Sequence, residues 1–514
     1  MNHGALRIDN AMMMHGLTTI SLCTLLCAGV NAHEGMENCQ ASQEVLANLI
    51  DSPPLARAKV GFYVENLDTG AVIFERDADA SLIPASNIKL ITTAAALHHL
   101  GPDYRFITEL LGEVDSEGVI KGDLYIRGNG DPWLVPERLW YLAMRLYYSG
   151  VVEIQGSIVV DDSYFAGSRI QVGSEQDRTS FAYMAPAGAV SVGLNAILVH
   201  IYPGATPGTR AKVLVEPMSD YTKINARAVT VGHGRTRLNV DVQGNGRHDI
   251  VHVTGQIALD DEGRGYWRRI ENPPHFAGEV LRDMLARTGI KLSSKAVTTR
   301  TAPEGLPTIA SLNSPPLSDL VARVNKHSNN FMAHQLALAM AAKVDGPPGT
   351  WKNARNIISD FLRDEVKLST NFMIRNASGL HDVNRVSTKQ LVKLMAYMYH
   401  RPRLLPEYLA SMAVAGSSGT LSGRMQEGQA TGVVRGKTGT LSIASALSAY
   451  VATQSGDTLA FSFIVNNYRT RIDDIWALQD EISQVLATYD AKCSRSGPFK
   501  HQTDPFLGPV GKTF

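Results

Sequence analysis

The order of apolar and polar positions predicts helix, hairpin and helix at the start of the chain. Helical spacing of apolar residues covers residues 37–50. Two strand-like runs follow at residues 59–64 and 71–75, and the turn residues at 68–70 between them predict a β-hairpin. A run rich in Ala, Leu and Ile then predicts a helix over residues 86–100.

The middle of the chain has a different pattern. From about residue 109 to residue 302, short β runs alternate with glycines, and helical spacing interrupts them in two places. The clearest β runs are residues 122–127, 156–161 and 237–242, and the helical stretches lie near residues 136–148 and 276–288. This pattern predicts one or two inserted, mostly β domains.

Helical periodicity returns at Pro316 and dominates to about His400. Within it, Ser387 and Gln390 have the spacing of a capping box at a helix start. The end of the chain is predicted to be strand, hairpin and helix, with strands at residues 433–441, 446–452 and 459–465 and a helix at residues 472–488.

The N-terminus is predicted to be a signal peptide covering residues 1–32. Residues 17–30 form an apolar run that is too short to span a bilayer, and it ends in the small-residue sequence Val30-Asn31-Ala32. The alternative for this run is a buried core helix. A cleaved signal peptide places the mature protein in the periplasm, where Cys39 and Cys493 are candidates for a disulfide; two free thiols are the alternative.

Composition narrows the function classes. A chain of 514 residues predicts two or three domains. Lys and Arg together number 49, as do Asp and Glu, so a zero net charge argues against a nucleic-acid partner. The sequence has no His/Cys cluster with metal-ligand spacing, which predicts no metal, and no second apolar stretch of membrane-spanning length.

Ser86 and Lys89 are the first candidates for catalysis. They form the only Ser-x-x-Lys of the sequence, and residues three apart lie on one face of a helix. Burial can push a lysine toward its neutral form, which makes it a base for a neighbouring serine. The alternative is a helix-capping serine followed by a surface lysine.

Lys437-Thr438-Gly439 lies inside a predicted strand. On a strand, Lys437 and Gly439 share one face while Thr438 and Thr440 point to the other. A lysine and hydroxyl groups suit a substrate carboxylate, and a glycine lets the substrate backbone approach. A solvated turn is the alternative for the tripeptide alone.

Ser328-Asn329-Asn330 precedes a predicted helix over residues 331–343. Ser-x-Asn also occurs at Ser311 and at Ser369, so this pattern discriminates poorly by itself. We prefer Ser328 because a polar loop at the start of a buried helix can present side chains into a cleft. A helix cap formed by Ser328 or Asn329 is the alternative.

Serine β-lactamases and penicillin-binding proteins carry these three elements in this order, with Asp at the position of Asn329. The chain resembles the class C low-molecular-mass penicillin-binding proteins, which are D-alanyl-D-alanine carboxypeptidase/endopeptidases. The gap of roughly 240 residues between Lys89 and Ser328 resembles the large insertion of that class, whereas a β-lactamase would have fewer. Further similar segments are residues 128–132, 160–165, 189–195, 314–317 and 377–380.

The resemblance implies an α+β fold, with a penicillin-binding/β-lactamase-like transpeptidase domain whose antiparallel sheet is flanked by helices. That domain would comprise residues 33–106 and 308–514. The inserted region would cover residues 107–307, in two subdomains: about 107–130 with 209–307, and 131–208.

The resemblance also implies residue roles and partners. Ser86 would be acylated, Lys89 would deprotonate it and Ser328 would relay protons. The expected substrate-binding residues are Asn330 for the substrate amide, with Lys437, Thr438 and Thr440 for the terminal carboxylate. Gly439 is the expected point of approach for the substrate backbone. Peptidoglycan stem peptides and cross-links would be the substrates, β-lactams would acylate the same serine, and no cofactor is implied. The oligomeric state stays open and is compatible with a homodimer.

The chain departs from this family at His334, Asn376 and Gly436, where relatives commonly have Glu, Asp and Ala. None of these positions is a predicted catalytic group. Three other functions remain as alternatives: a β-lactamase, an esterase on the same fold, and a non-catalytic periplasmic scaffold that binds peptidoglycan.

Overall fold

The computed structural model describes residues 41–490 of the chain. The predicted signal peptide and both Cys39 and Cys493 lie outside the described residues. The strands, in chain order, are β1 (Lys59–Asn66), β2 (Val72–Arg76), β3 (Ile107–Leu111), β4 (Val119–Ile120), β5 (Leu124–Gly128), β6 (Glu153–Ile154), β7 (Ile158–Asp161), β8 (Ala196–Tyr202), β9 (Lys212–Glu216), β10 (Thr222–Ala226), β11 (Val229–Val231), β12 (Arg237–Gly244), β13 (Asp249–Ala258), β14 (Arg264–Arg269), β15 (Lys291–Leu292), β16 (Val297–Thr299), β17 (Thr308–Asn313), β18 (Ala413–Val414), β19 (Val434–Leu441), β20 (Ala444–Ala452) and β21 (Thr458–Asn466).

The helices begin with α1, which is helical over residues 41–50. The others are α2 (Ile88–Leu100), α3 (Pro136–Tyr148), α4 (Pro273–Thr288), α5 (Leu317–His327), α6 (Asn330–Asp345), α7 (Trp351–Asp360), α8 (Thr388–Tyr399), α9 (Leu405–Ala410) and α10 (Ile472–Ala487). Short 3-10 turns cover Ala85–Asn87, Ala182–Met184 and Gly419–Leu421, among others.

The first and last parts of the chain build one antiparallel sheet in the order β18-β19-β20-β21-β1-β2. Alternation along β21 explains its two covered faces. Phe461 and Phe463 pack in the core that also contains Leu46 of α1 and Ile475 of α10. The next residue, Ile464, points to the opposite core, among residues of α2, α5, α6 and α8. The predicted antiparallel sheet flanked by helices is confirmed.

The middle of the chain forms further sheets around a separate hydrophobic core. A five-stranded sheet has the order β16-β7-β5-β3-β17, and α3 and α4 lie against it. The mostly β character predicted for this region is confirmed, as are its two main helices. The predicted boundary before residue 308 falls directly ahead of β17, which pairs with β3 of this sheet. The division into domains stays a prediction.

Helix α2 lies where the elements that carry the three sequence motifs come together. It packs against α5 and α6, while the turn Ala85–Asn87 ahead of it packs against β19 and β20. None of the helices described between residues 41 and 490 is long and apolar enough to cross a membrane.

The predicted capping box at the start of α8 is confirmed. Ser387 Oγ accepts a hydrogen bond from the Gln390 backbone N–H (3.2 Å), and Gln390 Oε1 accepts one from the Ser387 N–H (3.0 Å). We predict that Ser387→Ala lowers the free energy of unfolding by about 1 kcal/mol, because a helix N-terminal donor loses its partner. Urea unfolding measures this, with the exposed Lys393→Ala of the same helix as the control. Equal stability of the two variants would contradict the prediction.

Candidate active site

Ser86 lies in the 3-10 turn Ala85–Asn87, immediately before α2. Its neighbour Ala85 has a positive φ of 47°, so the chain bends sharply here before the helix begins. Lys89 follows three residues later, in the first turn of α2. Its Nζ lies 2.9 Å from Ser86 Oγ, which confirms the contact that the spacing predicted.

Lys89 is completely buried and has two further neighbours. Nζ donates to Asn330 Oδ1 (2.7 Å) and to the Ser378 carbonyl oxygen (2.6 Å). Both of these oxygens are acceptors only, so they take two N–H groups of the amine. In a neutral amine, the remaining lone pair is then left for the Ser86 hydroxyl. This geometry is that of a base aimed at one proton.

Electrostatics favours the neutral amine. Burial, assisted by the charge of Lys437, lowers the pKa of Lys89 well below its ordinary value. Burial also lowers the pKa of Lys437, to about 7. Burial therefore favours the neutral form of both lysines, and the charge of Lys437 adds to the effect on Lys89.

Ser328 ends α5 in a left-handed conformation (φ 54°), one residue before the cap of α6. Asn329 forms that cap, because its side chain accepts a hydrogen bond from the Met332 N–H (2.9 Å). The Ser328 hydroxyl is therefore not used as the cap and lies 2.9 Å from Lys437 Nζ. The capping alternative holds for Asn329 alone.

Strand β19 carries Lys437 and Gly439 inward and Thr438 and Thr440 outward, as its alternation predicts. Gly439 is necessary here, because a Cβ at this position would lie 2.9 Å from the Pro84 carbonyl oxygen and 3.0 Å from the Ser86 nitrogen. The backbone of β19 therefore lies directly against the backbone of the turn Ala85–Asn87.

Asn87 ties the turn to the same strand. Its amide lies 2.7 Å from Ser448 Oγ and 2.9 Å from the Lys437 carbonyl oxygen. Both partners are satisfied when the amide nitrogen faces Lys437 and the amide oxygen faces Ser448.

The structure brings the predicted residues of the three motifs together. Asn330, predicted to bind the substrate amide, contacts Lys89 through its oxygen and donates from Nδ2 to the Tyr183 carbonyl oxygen (3.3 Å). Thr438 Oγ1 donates to Thr420 Oγ1 (2.7 Å) in the turn Gly419–Leu421. Within residues 41–490, no group of three or more His, Cys, Asp or Glu side chains is placed to hold a metal.

Sequence reasoning assigned no role to Ser378 or Thr420. Ser378 acts through its backbone carbonyl, which no side-chain pattern reveals. Its neighbour Gly379 has φ 76°, and a Cβ there would collide with the Ala85 carbonyl oxygen, so this turn packs directly on the turn Ala85–Asn87. For Thr420, the sequence did contain an indication of a polar turn beside the site. The run Gly416-Ser-Ser-Gly-Thr420 is rich in glycines and hydroxyl groups and precedes β19.

The three departures from the family pattern occupy structural positions. Asn376 Oδ1 accepts from the Gly379 N–H (2.8 Å) and so stabilises the turn that holds Ser378. His334 is buried in α6 beside Trp351, and burial lowers its pKa to about 4. Gly436 faces Ala449 on β20, where a Cβ would be 2.7 Å from the Ala449 Cβ.

Comparisons with known proteins agree with this geometry. The model of the D-Ala-D-Ala carboxypeptidase 3 (S13) family matches residues 41–489. A D-alanyl-D-alanine carboxypeptidase of Actinomadura sp. (strain R39) is 32% identical over 467 residues, which cover 87% of this chain and 84% of that protein. The D-alanyl-D-alanine carboxypeptidase DacB of Haemophilus influenzae is 25% identical over 420 residues, 80% of this chain and 86% of the relative.

The fold has a solved counterpart. The crystal structure of penicillin binding protein 4 (dacB) from Haemophilus influenzae superposes with a TM-score of 0.76 at 22% identity, over 86% of this chain and 99% of that one. This likeness confirms the predicted penicillin-binding/β-lactamase-like fold.

The low pKa of Lys437 has a measurable consequence for stability. A folded Lys437 loses its proton near pH 7, whereas an unfolded lysine keeps it to about pH 10. Between these values the unfolded state binds one more proton, so the free energy of unfolding rises by about 1.4 kcal/mol per pH unit from this residue.

We predict that Lys437→Met removes this contribution. From pH 7.0 to pH 8.5, the stability of the wild type should rise by about 2 kcal/mol relative to the variant. Lost contacts to Ser328 shift the variant by a constant amount, so the slope is the readout in urea unfolding. Lys352→Met, at an exposed site on α7, should keep the wild-type slope. Parallel slopes for wild type and Lys437→Met would contradict the prediction.

Proposed function

The chain belongs to the D-Ala-D-Ala carboxypeptidase 3 (S13) family, and from that premise we propose how its site works. The protein is a serine-type D-alanyl-D-alanine carboxypeptidase of the penicillin-binding type. We propose that Ser86 is its nucleophile and Lys89 the base. The observation that carries this proposal is the buried Lys89 amine, 2.9 Å from Ser86 Oγ, with its other hydrogen-bond directions occupied by acceptors.

In the first step, neutral Lys89 takes the proton of Ser86, and Oγ attacks the carbonyl carbon of the D-alanyl peptide bond. Backbone N–H groups of Ser86 and Thr440 stabilise the resulting oxyanion. The proximity of Gly439 to the Ser86 nitrogen supports this pairing of the turn with β19.

The C–N bond of the intermediate then breaks, and Ser328 passes one proton to the leaving amine, from Lys89 or from Lys437. The 2.9 Å contact between Ser328 Oγ and Lys437 Nζ supports this relay. Water subsequently attacks the acyl-enzyme, the bond to Ser86 breaks, and the shortened peptide leaves.

Substrate recognition falls to the residues around this centre. Lys437, Thr438 and Thr440 bind the terminal carboxylate, because β19 supplies an amine and two hydroxyl groups within four residues. Gly439 gives the substrate backbone access to the strand, and Asn330 holds the substrate amide. The substrates are stem peptides of peptidoglycan, and β-lactams acylate the same serine. The apolar run at residues 17–30 supports export to the periplasm.

We predict that brief incubation with benzylpenicillin adds one penicillin mass to the mature wild type and none to Ser86→Ala, as measured by intact-protein mass spectrometry. Ser369→Ala, the exposed serine of another Ser-x-Asn sequence, is the matched control and should form the adduct. D-alanine release from a pentapeptide should be lost in parallel for Ser86→Ala.

Other outcomes favour the alternative functions. An unmodified wild type with intact penicillin would overturn the mechanism and favour a non-catalytic scaffold. Rapid consumption of penicillin without a lasting adduct would favour a β-lactamase.

We extend the proposal to D,D-endopeptidase activity. The bond of a 4,3 cross-link is also a D-alanyl amide beside a carboxylate, so the same groups serve both substrates. We predict that the wild type converts a cross-linked muropeptide dimer into monomers and that Ser86→Ala does not, as measured by chromatography. An intact dimer under conditions that release D-alanine from a pentapeptide would restrict the enzyme to carboxypeptidase activity.

A further inference from the structure

A segment of the inserted region reaches the catalytic centre. We call residues 163–188, between β7 and β8, the strap. Its Tyr183 carbonyl oxygen accepts a hydrogen bond from Asn330 Nδ2 (3.3 Å). Asn330 is the residue whose other amide atom accepts from Lys89. The strap therefore contacts Asn330, which is one of the two residues that accept a hydrogen bond from Lys89.

The strap contacts the second acceptor through Gln171. The Ser378 hydroxyl donates to Gln171 Oε1 (2.5 Å), and the carbonyl of the same Ser378 accepts from Lys89 (2.6 Å). The next strap residue, Val172, accepts from Asn376 Nδ2 through its carbonyl oxygen (3.0 Å). Gln171 and Ser378 are both buried, so this link is protected from water.

The strap is itself fixed at both ends. Near its start, Phe165 forms a bridge with Gly349, and the Arg169 guanidinium pairs with the buried Asp162 carboxylate. At its end, Gln335 Nε2 donates to the Gly188 carbonyl oxygen (2.5 Å). The strap can therefore transmit a fixed position to the two residues that it touches.

We propose that Gln171 is a positioning residue for the general base: through Ser378 it holds the acceptor that directs the lone pair of Lys89 toward Ser86. This inference rests on the proposed function, since it concerns the orientation of the same base. Its physical reason is that two fixed acceptors determine where the third direction of the amine points. If Ser378 moves, the lone pair turns away from the serine hydroxyl.

The charged and titratable groups near the Gln171–Ser378 hydrogen bond determine how pH can affect the rate of acylation. Lys437 on β19 is the charged group that acts on Lys89. His334 on α6 stays neutral above its pKa of about 4. Further titratable groups lie on the strap and in the segments on both sides of the turn, namely Tyr164, Arg169, Glu175, Asp177, Arg178, Tyr183, Arg375, His381 and Asp382.

Gln171→Leu tests the proposal by removing the acceptor for Ser378. We expect the second-order rate constant of acylation by a fluorescent penicillin to fall about tenfold at neutral pH, because misplacement of a catalytic group is costly. Gln256→Leu, the same change at a half-buried glutamine of β13 outside the strap, should keep the wild-type rate. Thermal melting of both variants reports whether the fold is retained.

Gln171→Glu separates positioning from a merely structural role. Its carboxylate still accepts from Ser378, so the rate at alkaline pH should return to near the wild-type value. The added negative charge favours protonated Lys89, so its pKa rises and the acidic limb of the rate profile should move to higher pH. A structural defect would instead lower the rate equally at every pH.

The outcomes distinguish this inference from the proposed function. A wild type that is not acylated at Ser86 overturns the proposed function itself. An acylated wild type together with a folded Gln171→Leu of unchanged rate overturns the role of Gln171 alone. A pH-independent loss in Gln171→Glu overturns it as well.

Discussion

The catalytic centre depends on one constraint, the burial of the Lys89 amine beside a serine hydroxyl. An ammonium ion removed from water costs several kcal/mol unless it is paired with an opposite charge. Lys89 has no such partner among its contacts; its neighbours are a hydroxyl, an amide oxygen and a backbone carbonyl. The neutral amine therefore has the lower free energy at this site, and a neutral amine is a base. The same burial that would destabilise a charged lysine therefore creates the chemical group that the reaction needs.

Three distant parts of the chain must meet to satisfy that amine. Ser86 comes from the turn before α2, Asn330 from the start of α6, and Ser378 from a turn between α7 and α8. These parts can lie close together because Gly379 and Gly439 have no side chains. The turn Ala85–Asn87 fits between the two glycines. A side chain at either glycine would push one wall of the site away. The hydrogen-bonding geometry thus rests on two positions where no Cβ can be accommodated.

Much of the site could be predicted because its patterns are local. Ser86 and Lys89 share a helix face, Lys437 and Gly439 share a strand face, and the capping box of α8 is contained in four residues. The choice of Ser328 over two similar sequences relied on its place in a polar loop at the start of a buried helix, and its distance to Lys437 supports it. Ser378 could not be found in this way, because it offers a backbone carbonyl. Gln171 could not either, since its partner is 207 residues away.

The sequence by itself determined the order of the main helices and strands, the family resemblance and the candidates for the reactive residues. It could do so because periodicity and motif spacing are properties of neighbouring residues. Only the tertiary structure decided that the pKa values of Lys89 and Lys437 are lowered, since pKa values follow from burial and from charges that other segments supply. It also decided that the strap contacts Asn330 and Ser378, the two hydrogen-bond acceptors of Lys89, because these contacts join residues far apart in the chain through the packing of separate elements.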